Sequence, residues 1–299
     1  MNGSVLDRKT VRPFTRRFEA IGTHWQIDTA RALSPAQWST LHDRIDEFDR
    51  TWSRFRSDSL VARLADGPAT VQFPAEAGPL IEFYRRLHDG TGGAVTPLIG
   101  GTLADLGYDA GYRFTRAATV RATPAWDAVM RWDGPVVTTT EPLVLDVGAA
   151  GKGYLVDLLG ALLASFEVGS FVVDGSGDLL HQGPDAIRVG LEHPADPSKV
   201  IGVVPLSDDA LAASAGNRRT WAGLHHIVDP RTGAPVRDVV ATWVVAGSAM
   251  VADGLATALF FTSPTQTGTI ADAFGADWCR VLADGSAHTS PTFEGELFR

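Results

Sequence analysis

Residues 143–159 read Leu-Val-Leu-Asp-Val-Gly-Ala-Ala-Gly-Lys-Gly-Tyr-Leu-Val-Asp-Leu-Leu. The apolar run Leu143–Val147 predicts a strand, and the apolar run Tyr154–Leu163 predicts a helix. Small residues between them let the backbone approach a ligand closely, and a helix N-terminus presents N–H groups to an anion. The stretch therefore predicts either a strand–loop–helix cradle for a phosphorylated ligand or a glycine-rich turn with a solvated lysine. It is not a Walker A loop, because Asp146 and Gly153 occupy two of that motif's defining positions.

Length, composition and charge restrict the kinds of protein that this chain can be. The chain has 299 residues, of which 44% are hydrophobic, and this admits one large α/β domain or two intimate lobes around a sizeable core. The net charge of −9 without a basic stripe argues against nucleic acid as a partner. The single cysteine, Cys279, excludes an intramolecular disulfide and a cysteine-based metal site. No apolar run is long enough for a membrane span, and Met1–Thr15 carries no signal-peptide core or lipobox-like cysteine, so we expect a cytoplasmic protein.

Hydrophobic periodicity predicts an α+β fold. Phe18–Thr29 alternates as a strand with Gly22 as a bulge or close-approach point, and Ser34 is placed to cap a helix through Thr51. Further helices and strands are predicted over Ala77–Gly90, Val136–Thr140, Ser170–Val173, Ile187–Leu191, Val200–Leu206, Ala210–Ala213, Thr242–Ala246, Ala249–Phe261, Pro264–Phe274 and Trp278–Leu282. We expect mixed sheets with packed helices in a single unit of two intimate lobes over residues 14–299, preceded by a loose leader over residues 1–13.

One charged side chain interrupts the apolar helix predicted at 249–261. Asp253 and Thr257 stand four residues apart, so they lie on one face of that helix. A carboxylate in apolar surroundings must be paired, hydrogen-bonded or metal-bound, and a carboxylate with a hydroxyl suits Mg²⁺ better than Zn²⁺. The alternative is structural, with Asp253 capping a neighbouring loop and Thr257 bonded to a helix carbonyl.

The run His226-Ile-Val-Asp-Pro-Arg-Thr-Gly233 brings a histidine, an aspartate and an arginine to a strand-to-turn junction. Histidine titrates near neutrality, which makes His226 a candidate acid–base group. If this segment is a strand, its neighbour His225 points to the other face.

Four motifs, taken in order, resemble those of the ApbE family of FAD:protein FMN transferases. They are Asp146-Val-Gly-Ala-Ala-Gly-Lys-Gly-Tyr154, Ser214-Ala-Gly-Asn217, His226-Ile-Val-Asp-Pro-Arg-Thr-Gly-Ala-Pro235 and Ala249-Met-Val-Ala-Asp-Gly-Leu-Ala-Thr257. The resemblance extends over nearly the whole chain. It implies Mg²⁺-dependent transfer of FMN from FAD to a threonine or serine of an acceptor protein, with release of AMP.

The resemblance also implies roles for individual residues. The Ala149 carbonyl and the side chains of Asp253 and Thr257 would bind Mg²⁺, and His226 matches the histidine implicated in transfer. The residues implied to bind FAD are Ile21, Phe55, Leu106, Gly107, Tyr108, Asp146, Lys152 and Ile227.

The sequence departs from the family pattern at a few places. Phe55 stands where a tyrosine is frequent, Leu60 replaces the usual glutamate, Ala65 replaces the usual asparagine, and Ala215 replaces a common serine. A Phe-Asp pair usual before the mid-chain Pro97 is missing. These changes affect flavin contacts and leave the metal and phosphate residues in place. Two alternative functions stay open, namely an FAD pyrophosphatase that uses water as the acceptor and a flavin-binding protein without turnover.

Overall fold

The computed structural model describes residues 4–6 as backbone only, together with residues 14–111, 113–217, 221 and 224–298. Its α-helices are α1 (Pro35–Trp52), α2 (Ala77–Gly90), α3 (Gly100–Asp105), α4 (Trp126–Val129), α5 (Gly151–Ser165), α6 (Ala249–Ala258) and α7 (Pro264–Asp272). Short 3₁₀ turns cover Ala62–Leu64 and Pro97–Ile99. No helix within these described ranges is both long and apolar enough to cross a membrane.

The strands follow the same chain order. They are β1 (Ser4–Leu6), β2 (Phe14–Ala20), β3 (Thr23–Thr29), β4 (Thr70–Gln72), β5 (Met130–Asp133), β6 (Val136–Thr139), β7 (Phe171–Asp174), β8 (Asp178–Gln182), β9 (Ile187–His193), β10 (Asp196–Leu206), β11 (Ala210–Ala215), β12 (Val228–Asp229), β13 (Ala234–Pro235), β14 (Val239–Ala246), β15 (Asp277–Leu282), β16 (Ala287–Thr289) and β17 (Glu296–Leu297).

A large antiparallel sheet organises the molecule, with strand order β16-β15-β14-β11-β8-β7-β3-β2. A second sheet has the order β1-β9-β10-β17, a third has the order β4-β6-β5, and β12 pairs with β13 as a small hairpin. Successive residues of a strand face opposite sides, so each central strand of the large sheet serves two cores. In β7, Phe171 and Val173 pack among the helices, whereas Val172 packs toward β9 and β10. The predicted α+β architecture, with helices packed on mixed sheets, is confirmed.

The helices that carry the site pack on one face of the large sheet. Helix α6 has buried side chains on nearly every side, which is typical of a helix enclosed by neighbouring elements. A Cβ on Gly153 of α5 would overlap the Ala249 carbonyl of α6, and a Cβ on Gly254 of α6 would overlap the Phe83 ring of α2. Glycine at these two positions therefore lets α2, α6 and α5 approach one another closely.

Several sequence predictions are confirmed. Helix α2 has the predicted bounds, and α1 begins after Ser34, whose hydroxyl accepts a hydrogen bond from the Gln37 N–H in a capping box. Of the predicted loose leader, Ser4–Leu6 pairs antiparallel with β9, and the rest of residues 1–13 lies outside the described residues.

Two predictions are wrong. Phe18–Thr29 is not one strand with a bulge, because β2 and β3 form a hairpin whose turn places Ile21 and Gly22 at φ +45° and +75°. Leu143–Val147 is not a sheet strand either. Its backbone bonds go to loops, with the Leu143 N–H donating to Leu64 O and the Asp146 N–H donating to Pro97 O. The backbone N–H groups of this buried run therefore bond to loop carbonyls and not to a neighbouring strand.

Candidate functional site

A cavity of about 950 Å³ opens between the N-terminus of α5, the face of α6, the β2–β3 turn and the loop before β12. The sequence-predicted residues that line it are Ile21, Phe55, Tyr108, Asp146, Ala149, Lys152, His226, Ile227, Asp253 and Thr257. Residues from six separate segments of the chain are thus brought to one place. Two predicted flavin contacts, Leu106 and Gly107, do not line the cavity.

Leu106 and Gly107 lie behind the cavity wall. Leu106 is fully buried in a small cluster with Leu103, Tyr108 and Val228. Gly107 has φ +100°, and a Cβ there would lie 2.5 Å from the Trp221 ring. The segment therefore supports Tyr108 at the wall through packing, and the prediction that all three residues line the cavity is corrected.

The predicted metal ligands meet where α5 and α6 touch. The Gly153 N–H donates to Asp253 Oδ2 at 3.0 Å, and the Thr257 hydroxyl lies 3.5 Å from the Ala149 carbonyl oxygen. Asp253 thus accepts from the first turn of α5, whereas its structural alternative had it capping a neighbouring loop. Thr257, however, bonds to the loop before α5 and not to its own helix. The arrangement gathers a carbonyl, a hydroxyl and a carboxylate side by side.

Asp157 fixes the relative position of these two helices. Its carboxylate accepts from the Ser248 hydroxyl at 2.7 Å and from the N–H groups of Ala249 and Met250 at 2.7 and 2.9 Å. A carboxylate at a helix N-terminus satisfies N–H groups that lack partners within the helix and complements the helix dipole. Sequence analysis missed this residue, because only the packing of α5 on α6 reveals the acceptor role of Asp157.

Asp178 is a second carboxylate of the site that sequence analysis left without a role. It follows the turn after β7, is 1% exposed and forms an ion pair with Lys152. Burial raises the pKa of Asp253 well above its usual range, the nearby Asp178 carboxylate raises it further, and Lys152 opposes the rise. The sequence signal for Asp178 was its place at the end of a turn-rich run that follows a buried strand.

The donor set fits a hard divalent cation. The buried Asp178 Oδ1 has no hydrogen-bond partner, and Asp253 beside it is only 5% exposed. Burying two neighbouring carboxyls is costly unless positive charge compensates them. No group of three or more His, Cys, Asp or Glu side chains suited to a metal occurs in the described part of the chain. Mixed carboxylate, hydroxyl and carbonyl oxygens suit Mg²⁺ rather than Zn²⁺.

The loop before α5 differs from the predicted anion cradle. The Gly148 N–H donates to Asp146 Oδ1 at 2.7 Å, and the Ala149 N–H donates to the Tyr84 hydroxyl at 3.1 Å. The buried Arg54 guanidinium pairs with Asp146 Oδ2. Most of these N–H groups therefore hold protein oxygens in place. Lys152 is not solvated either, because it is paired with Asp178.

Tyr84 lies beneath the loop and was also missed from the sequence. Its side chain is fully buried, and burial, together with the charges of Asp146 and Asp253, raises the pKa of its hydroxyl well above the usual range. The hydroxyl stays neutral and supports the Ala149 backbone. Helix periodicity predicted a buried residue here but could not predict what its hydroxyl contacts.

The two adjacent histidines have different surroundings. His226 lines the cavity, whereas His225 Nε2 donates to Val236 O at 2.6 Å and His225 Nδ1 accepts from the Ile227 N–H at 3.3 Å. Burial lowers the pKa of His225, which is consistent with a neutral imidazole holding both bonds. His225 and His226 lie outside a strand, so the expected alternation of a strand does not apply, and His225 fixes the loop that carries His226.

Asp229 is held within its own turn. The Arg231 guanidinium donates to both carboxylate oxygens, at 2.9 and 2.6 Å. Burial raises the pKa of Asp229, but the hydrogen bonds from Arg231 outweigh it and keep the pKa below the usual value. A carboxylate bound in this way is a poor proton acceptor.

Phe55 and Ile21 contribute to the apolar part of the cavity wall. The Phe55 ring is 42% exposed, with the Arg54 guanidinium 4.3 Å from its centroid. Ile21 has φ +45°, a left-handed conformation that is unfavourable for a β-branched residue and is found mainly where function or a tight turn requires it. Both residues present apolar surface to the cavity.

The fold is that of known flavin transferases. It superposes with a TM-score of 0.78 on the flavin transferase ApbE from Vibrio cholerae, at 21% identity over 94% of this chain and 98% of that chain. With the ApbE protein from Thermotoga maritima the TM-score is 0.82, at 24% identity over 94% of this chain and 99% of the other. At these identities the likeness establishes the fold alone.

The sequence match establishes the family. The profile of the ApbE family matches residues 21–277, and the chain therefore belongs to the ApbE family. A protein of Vibrio cholerae named FAD:protein FMN transferase is 26% identical over 85% of this chain and 82% of its own length. A protein of Rhodobacter capsulatus with the same name is 28% identical over 82% of this chain, which spans half of that relative's length.

Proposed function

We propose that this protein is an Mg²⁺-dependent FAD:protein FMN transferase, which attaches FMN from FAD to a threonine or serine of an acceptor protein and releases AMP. The observation that carries the proposal is the cavity that gathers Asp253, Thr257, the Ala149 carbonyl and His226 from distant parts of the chain. Family membership supports the reaction class, and the names of the relatives support the substrate.

Ala149, Asp253 and Thr257 would hold the cation, with Asp178 beside them. Bound Mg²⁺ supplies positive charge that offsets the charge of a phosphoanhydride as it is cleaved. The chain's own contribution is to fix these oxygens before the cation arrives. Gly153 orients Asp253, and Tyr84 supports the backbone of Ala149.

FAD fits the size and character of the cavity. Small-molecule sites commonly measure about 300–1,000 Å³ and combine apolar walls with a few polar groups. Ile21, Phe55, Tyr108 and Ile227 supply apolar and aromatic surface for the rings. Lys152 and the Asp146 loop lie near the cation ligands, where the pyrophosphate would be held, while Leu106 and Gly107 support the wall from behind.

His226 acts on the acceptor hydroxyl in this proposal. The acceptor oxygen attacks the phosphorus on the FMN side of FAD, a new P–O bond forms, and the P–O bond to the AMP phosphate breaks. The hydroxyl proton passes to the His226 imidazole, and AMP leaves as the second product. A hydroxyl is a weak nucleophile, so a nearby base accelerates this step.

One incubation separates the proposal from its alternatives. The protein is mixed with FAD, Mg²⁺ and a candidate acceptor, and the acceptor's intact mass and free AMP are measured. An FMN adduct on a threonine or serine together with AMP supports the transferase. AMP without an adduct would identify an FAD pyrophosphatase, and FAD binding with neither product would identify a non-catalytic flavin-binding protein. The cytoplasmic location stays a prediction.

A further inference from the structure

We propose that Asp178 is a positioning residue that makes cation binding and FAD binding cooperative. In the absence of a divalent cation it holds Lys152. When a cation binds beside Asp253, the cation replaces Lys152 as the charge partner of Asp178, and Lys152 turns to the FAD pyrophosphate. This inference rests on the proposed function and assigns a role that neither the motif resemblance nor the relatives' names give to Asp178.

Positive charge is scarce around the buried carboxyls of the site. Asp178 and Asp253 are both at least 95% buried and lie next to each other, while Lys152 is the cationic partner of Asp178. One ammonium group beside two carboxyls leaves them undercompensated, because the attraction and repulsion of charges grow as the local dielectric falls. The pair is therefore prepared to accept more positive charge than Lys152 carries.

The two oxygens of the Asp178 carboxylate have different surroundings. Oδ2 receives the Lys152 ammonium, whereas the buried Oδ1 receives no N–H or hydroxyl donor, and the other group against this carboxylate is the acidic side chain of Asp253. Leaving such an acceptor without a donor carries a desolvation penalty, so each such group in a native structure calls for an explanation. A cation or its bound water beside Asp253 provides what this oxygen lacks.

The Lys152 side chain is free to change partners. It is 23% exposed and lines the cavity, and a lysine ammonium on a four-carbon stem can change partners without moving the backbone. Once the cation compensates Asp178, the ammonium group is available to an incoming phosphate. Cation and FAD should then raise each other's affinity by the same factor, because coupling between binding sites is reciprocal.

The first test measures cation binding without FAD or acceptor. Mn²⁺ is titrated into the wild type and into Asp178→Asn, and free Mn²⁺ is followed by electron paramagnetic resonance. Loss of a neighbouring carboxylate should weaken binding by about 10- to 100-fold. The matched control is Asp174→Asn, which makes the same change in the same turn at a buried residue that does not line the cavity. Equal affinities in wild type and Asp178→Asn would overturn the inference.

The second test measures FAD binding with EDTA and with Mg²⁺. In the wild type Mg²⁺ should tighten FAD binding. In Asp178→Asn, binding in EDTA should be tighter than for the wild type in EDTA, because Lys152 is already released, and the Mg²⁺ effect should shrink. A merely structural role for Asp178 predicts weaker FAD binding under both conditions, and that result would refute the proposal.

If Asp178→Asn fails to fold, a variant of Lys152 provides a second test of the exchange. Lys152→Met removes the competing ammonium group, so Mn²⁺ should bind at least as tightly as to the wild type, while Mg²⁺ should no longer strengthen FAD binding through this lysine. Weaker Mn²⁺ binding to Lys152→Met would contradict the exchange. A wild type that binds Mn²⁺ but shows no coupling contradicts this inference alone, whereas a wild type that binds neither Mn²⁺ nor FAD contradicts the proposed function.

Discussion

Replacing Gly153 by alanine tests the contact that holds the site together. An added Cβ would overlap the Ala249 carbonyl oxygen and lie 2.8 Å from Asp253 Cβ. Both neighbours belong to the main chain of α6 or to the root of its side chain, so neither can turn away by a rotamer change. Relief of the overlap requires a shift of α5 against α6, and that shift moves the Gly153 N–H away from the Asp253 carboxylate.

Two opposing effects set the size of the change. Alanine in the interior of a helix is ordinarily more stable than glycine by about 0.5–1 kcal/mol. Overpacking a close-packed interior costs about 1–3 kcal/mol, and contact with main-chain atoms points to the upper part of that range. We therefore expect Gly153→Ala to lower the free energy of unfolding by about 1–2 kcal/mol. Displacement of Asp253 should also weaken Mn²⁺ binding by about tenfold or more.

Gly268 provides the matched control. It lies inside helix α7, and an added Cβ there would meet no atom within 4 Å. Gly268→Ala should therefore gain about 0.5–1 kcal/mol and leave Mn²⁺ binding unchanged. Guanidinium unfolding followed by circular dichroism and tryptophan fluorescence measures both variants. If Gly153→Ala were stabilised as much as Gly268→Ala, the close contact between α5 and α6 would be refuted.

Three further predictions concern single side chains of the site. Asp253→Asn keeps an acceptor for the Gly153 N–H, so the temperature of thermal unfolding should change little. FMN transfer at modest Mg²⁺ should be lost, and full transfer would exclude the metal role of Asp253. His226→Asn should bind FAD and Mg²⁺ normally while transfer falls by about 10²–10⁴-fold, and lost FAD binding in a titration would argue for a binding role instead. The pKa of His225 is lowered by burial and by the Arg237 charge, so the unfolded chain binds the proton more readily. Stability should therefore be fully present above pH 6.5 and fall as the pH drops from 6.5 to the folded-state pKa, and His225→Gln should flatten this dependence in pH-dependent denaturation curves.

The elements that the sequence determined are those whose signal is local. The helix after Ser34 could be predicted because a cap and an apolar stripe lie within a few residues of each other. The central strands β7 and β14 could be predicted because each is largely buried and rich in valine, whereas β8, which has no β-branched residue, was not predicted. The pairing of Asp253 with Thr257 on one helix face likewise follows from a spacing of four residues.

Tertiary structure decided everything that depends on which groups meet. The Leu143–Val147 run has the composition of a strand, yet its backbone partners are Leu64 and Pro97, and no local pattern records that choice. Lys152 reads as a solvated or phosphate-binding cation until the β7–β8 turn places Asp178 against it. The physical reason is that hydrogen bonding and charge compensation act over a few ångströms in space, whatever the separation along the chain. Hence ten of the site residues named from the sequence line the cavity, whereas only the folded chain determined how the carboxylate of Asp178 is paired and which helix Gly153 must let approach.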